Sequence, residues 1–153
     1  AIIEHTSTGN VMDFSINGIS LPEAGYCALI AGMYDVPVAF IAGDEAICKQ
    51  AEELFGEVET CALKKGIGAS TLGVHPDVAC DMIRSGVEKA LKNADSYRPY
   101  KLASPYTMVL KMKNEEKVYN AQFFPGAKRT GDWEITFTSR NLLDVINAFN
   151  YMK

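Results

Sequence analysis

Apolar and polar positions alternate in blocks of different period along this chain, and each block names an element. Val11-Met12-Asp13-Phe14-Ser15-Ile16 reads as a strand closed by the turn dipeptide Asn17-Gly18. Pro22 suits the first turn of a helix reaching to about Tyr34, with Glu23 in that turn. Ala24, Tyr26, Cys27, Ala28, Leu29, Ile30, Ala31 and Met33 leave this helix almost no polar face, so deep burial is expected. The continuous apolar run 36–42 predicts an interior parallel strand covered on both faces. After Gly43-Asp44, a second helix carries Ile47, Ala51, Leu54 and Phe55 on one side and stops at Gly56. Residues 58–63 form another strand, 64–70 a loop with two glycines, and Pro76 opens a third helix.

This order of strand, helix, strand, helix, strand, helix predicts an α/β fold, a layered α/β/α arrangement with a mostly parallel sheet. The last third differs. Tyr106, Met108, Leu110 and Met112 alternate with Thr107, Val109, Lys111 and Lys113, and Trp133, Ile135 and Phe137 alternate with Glu134, Thr136 and Thr138. Both stretches predict half-exposed strands. A short helix over about 115–123, a turn at Pro125-Gly126 and a final helix capped by Ser139 complete a smaller α+β part. The Ser96 to Ser104 stretch, with prolines at 99 and 105, is the expected linker, dividing the chain into segments 1–95 and 96–153.

Composition narrows the function classes. The chain has 153 residues, 48% hydrophobic and 22% charged, with a formal net charge of -4, as expected of an ordinary folded protein. Its fifteen Lys and Arg are scattered, with no basic stripe, which argues against nucleic acid as a partner. No apolar run reaches the roughly 20 residues of a membrane span, and no membrane partner is expected. Cys27, Cys48, Cys61 and Cys80 form no CxxC pair and fall within apolar patterns, which points to small buried thiols and a cytoplasmic, reducing setting.

Chemistry concentrates near the start. His5 is one of only two histidines and the first candidate for acid/base work. Glu23 has two readings: a carboxylate favoured by the positive end of its helix, or a metal ligand on a rigid helix start. Asp44 follows the carboxyl end of the most apolar strand, where open α/β sheets bind ligands, and is also a good N-cap. The Lys64-Lys65-Gly66-Ile67-Gly68 stretch lies at the same end of the next strand. Lys65 and Gly66 there are candidates to bind an anion such as a peptide carboxylate, against the default of a solvated loop. His75 reads as a helix-entry residue.

In order, Glu4-His5-Thr6, Asn17-Gly18, Glu23, Val36-Pro37-Val38 with Gly43-Asp44, Lys65-Gly66-Ile67-Gly68, His75-Pro76 and the tail Phe124-Pro125-Gly126-Ala127-Lys128-Arg129 resemble the D-aminopeptidase (DppA-like) family, peptidase family M55. The resemblance covers the whole chain but only the C-terminal half or slightly more of the family's protein. It implies a zinc-dependent aminopeptidase that releases N-terminal, preferentially D-, amino acids from short peptides with two zinc ions. It implies that Glu23 ligates one zinc and that His5 acts beside the metals as nucleophile or acid/base. The family's other ligands, an aspartate, a glutamate and two histidines, lie upstream of Ala1. The family also implies a homo-oligomer, typically a decamer enclosing its active sites.

From this follows the expectation that the chain is the C-terminal portion of a longer protein, inactive alone, whose upstream part persists as a separate N-terminal fragment or was left out. The rival reading is a non-catalytic α/β oligomerisation or ligand-binding module that has lost the metal site. A flavodoxin-like binder is a third, against which stands the lack of a phosphate cradle in the Gly43 and Lys64 loops.

Overall fold

The computed structural model describes residues 6–153 and contains eight strands and five α-helices among them. These fall into two compact units, Cys27–Lys101, and residues 6–26 together with Leu102–Lys153. The helix α1 (Glu23–Gly32) is shared between them, since the division falls after Tyr26.

The unit built on the C-terminal segment has a five-stranded sheet. Strands β1 (Val11–Ile16) and β2 (Ile19–Ser20) form a hairpin whose turn is Asn17-Gly18. Both turn residues have positive φ, 53° and 79°, the backbone that an Asn-Gly hairpin turn requires. The sheet order is β2-β1-β6-β8-β7, with β6 at Tyr106–Met112, β7 at Lys128–Arg129 and β8 at Glu134–Ser139. All its pairings are antiparallel, and β1 lies against β6 with Phe14 opposite Leu110 and Ile16 opposite Met108. Asn17 reinforces this junction: its Nδ2 donates to the Ala103 carbonyl at 2.8 Å and its Oδ1 accepts from the Thr107 amide at 2.8 Å.

Helices α4 (Glu115–Ala121) and α5 (Leu142–Met152) cover this sheet. Leu142, Val145, Ile146, Phe149 and Met152 recur at helical spacing along α5 and are all buried. They meet Met108, Leu110, Met112 and Ile135, each with no exposed surface. The cap of α5 is Asn141, whose Oδ1 accepts from the Leu143 amide at 3.0 Å, and not Ser139, which accepts from the Asn141 amide one step earlier. Asx and hydroxyl caps compete for the same donors, and here the residue nearer the helix takes the cap.

The other unit holds the three-stranded sheet β3-β4-β5, with α2 (Glu45–Phe55) and α3 (Pro76–Lys92) against it. Its β3 (Phe40–Asp44) and β4 (Glu59–Ile67) are parallel, the one parallel pair among the described strands, and β5 (Ser70–Gly73) folds back antiparallel on β4. The mixed α/β class expected from the sequence is the one observed. Two features of that expectation differ. The run 36–42 enters β3 only at Phe40, and Val36 is 52% exposed. The stretch 64–70 is a continuation of β4 turning tightly at Gly68 (φ 57°) into β5, not an open loop. Of the four thiols, Cys48 and Cys61 are buried, burial pushing the Cys48 thiol up, whereas Cys27 and Cys80 are exposed. Among the described residues no helix is long and apolar enough to cross a membrane.

Gly32 ends α1 where the chain passes the backbone of Tyr100: a Cβ there would lie 2.1 Å from the Tyr100 carbonyl oxygen. A main-chain oxygen in packed surroundings has nowhere to yield. Gly32→Ala is therefore expected to cost about 2–3 kcal/mol, well above the gain of roughly 1 kcal/mol from replacing glycine in a helix. Thermal unfolding followed by circular dichroism should show a Tm lower by roughly 5–10 °C. An unchanged or raised Tm would refute the close approach.

Candidate active site

Glu23 begins α1 immediately after Pro22, and its side chain is exposed. Its Oε2 accepts a hydrogen bond from the Ser7 amide at 3.2 Å. Ser7 stands in the left-handed region (φ 65°) inside a tight turn in which the Thr8 amide donates to the Thr6 carbonyl at 2.8 Å. The Ser7 hydroxyl in turn accepts from Lys153 Nζ at 2.5 Å. That ammonium stands 5.1 Å from the centre of the buried Phe149 ring. A continuous set of contacts thus runs from the aromatic core through Lys153 and Ser7 to the Glu23 carboxylate. Neither Ser7 nor Lys153 was marked by sequence. They lie 16 residues before and 130 after Glu23, and no local pattern signals either.

His5 lies outside the described residues. Glu23 offers what one zinc ligand requires, an ionisable oxygen donor that no Lys or Arg neutralises among the described residues. No group of three His, Cys, Asp or Glu side chains among the described residues could hold a metal ion. Glu23 therefore fits as a single donor, and the described residues do not complete a zinc site.

Asp44, Lys65 and Gly66 gather in the other unit. Asp44 ends β3 and caps α2, its Oδ1 accepting from the Ile47 amide at 2.9 Å. Parallel register sets Asp44 beside Lys64, so the carboxyl end of β3 meets the middle of β4. Lys65 Nζ pairs with Glu45 Oε2 at 3.1 Å; both side chains are more than half exposed, and solvent makes such a pair weak. Gly66 is a strand residue opposite Thr71. The carboxylate of Asp44 is thus engaged in capping and the ammonium of Lys65 in an ion pair. His75 caps α3, Nδ1 accepting from the Asp77 amide at 3.3 Å.

Two clefts stand out among the described residues. One, about 370 Å³, lies between α4 and α5 and is lined by Asn114, Lys117, Asn120, Tyr151 and Lys153 among others, so it opens beside the Lys153–Ser7 contact. The other, about 590 Å³, runs between β4 and α3 past Cys61, Asp81 and Met82 and includes none of Glu23, Asp44, Lys65 and Gly66.

The chain is similar to known peptidases over nearly its full length. It is 30% identical to a D-aminopeptidase of Bacillus subtilis strain 168 over 153 residues, 99% of this chain and 56% of that protein. It superposes with a TM-score of 0.93, at 29% identity, on a solved Bacillus subtilis structure, DppA, described as a zinc-dependent D-aminopeptidase and a self-compartmentalizing protease. That match covers 99% of this chain and 56% of that one, so the chain spans about half the length of the relatives it matches. With the model of the D-aminopeptidase family matching residues 1–151, this chain belongs to the D-aminopeptidase family, peptidase family M55.

Proposed function

We propose that this chain forms part of a zinc-dependent aminopeptidase that releases N-terminal D-amino acids from short peptides, with Glu23 as one ligand of a pair of zinc ions. The observation that carries the reading is Glu23 itself: an exposed carboxylate, unpaired with any cation among the described residues, held by a backbone amide at the start of a helix. Family membership across the whole chain supports it. Zinc, when bound, supplies an activated water and polarises the scissile carbonyl. His5 is proposed as the acid/base group beside it, since imidazole is the side chain most often used for proton transfer near neutrality. Asp44, Lys65 and Gly66 are proposed as secondary substrate contacts, with Lys65 exchanging Glu45 for a peptide carboxylate. Assembly into a homo-oligomer, with cytoplasmic location, belongs to the same proposal. Its support is the self-compartmentalizing character of the similar protease and exposed aromatic side chains such as Phe123 and Tyr151, 67% and 70% exposed.

The test is direct: metal content by elemental analysis, release of D-alanine from D-alanyl dipeptides, and sedimentation, all on one preparation of the whole enzyme of which this chain forms part. Bound zinc with turnover and a mass of several copies is expected. Zinc-free protein without turnover would sink the peptidase and favour the rival reading, a non-catalytic α/β module. A monomer alone would remove the assembly.

A further inference from the structure

We propose that Ser7 and Lys153 are positioning residues that clamp the Glu23 carboxylate in one orientation, an inference that rests on Glu23 acting as a metal ligand. An exposed glutamate turns about three side-chain bonds, and a metal ligand must be held in one of the resulting geometries. Hydrogen bonds from neighbouring groups commonly do this for ligating carboxylates. Here the donor is the Ser7 amide, which reaches Glu23 Oε2 at 3.2 Å. The amide is presented by a residue with φ 65°, a conformation that non-glycine residues rarely adopt and that persists only where the surroundings hold it. Lys153 is what holds it. Its Nζ donates to Ser7 Oγ at 2.5 Å, and its ammonium lies over the Phe149 ring, 5.1 Å from the centre. Its own backbone is fixed, the Lys153 amide donating to the Phe149 carbonyl at 3.1 Å. Phe149 has no exposed surface and stacks on Phe14, so the clamp is anchored in the buried core of its unit. The strained serine, the buried anchor and the bound carboxylate point to function at Glu23 rather than to stability.

The test compares Lys153→Met, Lys153→Arg, Ser7→Ala and the double variant Ser7→Ala/Lys153→Met in the hydrolytically active protein, with Lys117→Met, on the same cleft, as control. Lys153→Met and Ser7→Ala should each lower kcat about 10-fold with little change in KM, and should hasten zinc loss to a chelator to a similar degree, as loss of a ligand's hydrogen-bond partner does. The double variant should be no worse than either single one, because both break the same link. Arginine should restore most of the rate, and Lys117→Met should leave it unchanged. Wild-type kcat and chelator resistance in both single variants, or additive losses in the double, would overturn the clamp. Equal loss of rate and of Tm would overturn it as well, reducing it to a structural contact. The underlying reading is separately exposed: if Glu23→Gln itself keeps zinc and turnover, Glu23 is not a ligand and the clamp has no object. If Glu23→Gln is inactive while Lys153→Met is not, only the clamp fails.

Discussion

Replacing Glu23 by glutamine should abolish most zinc retention and slow D-alanyl dipeptide hydrolysis by more than about 100-fold, the upper end of what losing even a ligand's hydrogen-bond partner costs. The substitution is close to isosteric, and the amide oxygen can still accept from the Ser7 amide that binds Oε2 at 3.2 Å. What disappears is the negative charge that a divalent cation requires of a carboxylate ligand. Stability should scarcely change, because a carboxylate in an exposed first turn contributes only about 0.3–1 kcal/mol through the helix dipole. That separation makes the experiment decisive. A purely structural Glu23 would give a slightly lower Tm with full zinc and full turnover, whereas a ligand gives lost zinc and lost turnover with the same small change in the Tm of the zinc-free protein. Metal analysis, dipeptide kinetics and thermal melts on one preparation distinguish the two.

The sequence disclosed local chemistry well and long-range partnership poorly. Asn17-Gly18, Pro76, Asp44 and His75 act where expected because turns and caps are decided within a few residues. The alternations of β6 and β8 were equally legible, since each strand exposes one face. The partner of β1 was not. Its apolar pattern suits either sheet, and only the folded chain shows Phe14 opposite Leu110, across an interval no local rule spans. The segment division drawn at 95/96 follows a change of composition, whereas the compact units divide at Lys101/Leu102 and return residues 6–26 to the C-terminal segment. The lysines and glycines of 64–70 suggested a loop, yet a two-residue turn at Gly68 lets both arms pair as strands. At the candidate site the asymmetry is sharper. Glu23 could be singled out as a charged residue opening an apolar helix, but Ser7 and Lys153 are unremarkable residue types whose meaning is entirely their contact.

Phe149→Ala should remove about 3–5 kcal/mol from the unit built on the five-stranded sheet, a large part of the roughly 5–15 kcal/mol by which a domain is stable. Phe149 is wholly buried on α5 and stacks on Phe14 with ring centres 4.1 Å apart and planes inclined by 28°. Tyr26 meets both rings edge-on, 5.5 Å from Phe149 and 5.8 Å from Phe14. Truncation therefore loses the transfer energy of a phenyl ring and breaks two aromatic contacts, and leaves a cavity walled by β1, α1 and α5 that cannot collapse without moving all three. Phe149→Leu, which fills much of that space, should cost only about 1–2 kcal/mol. Asn147→Ala, on the exposed side of the same helix, should stay within about 0.5 kcal/mol. Chemical denaturation of the three variants checks the order. Because Lys153 rests on this ring, Phe149→Leu should also loosen the hold on Ser7 and raise amide exchange there while the fold remains intact. A Phe149→Ala protein as stable as the Asn147 variant would show that the aromatic cluster is not the core of its unit, and the anchor assigned to Lys153 would go with it.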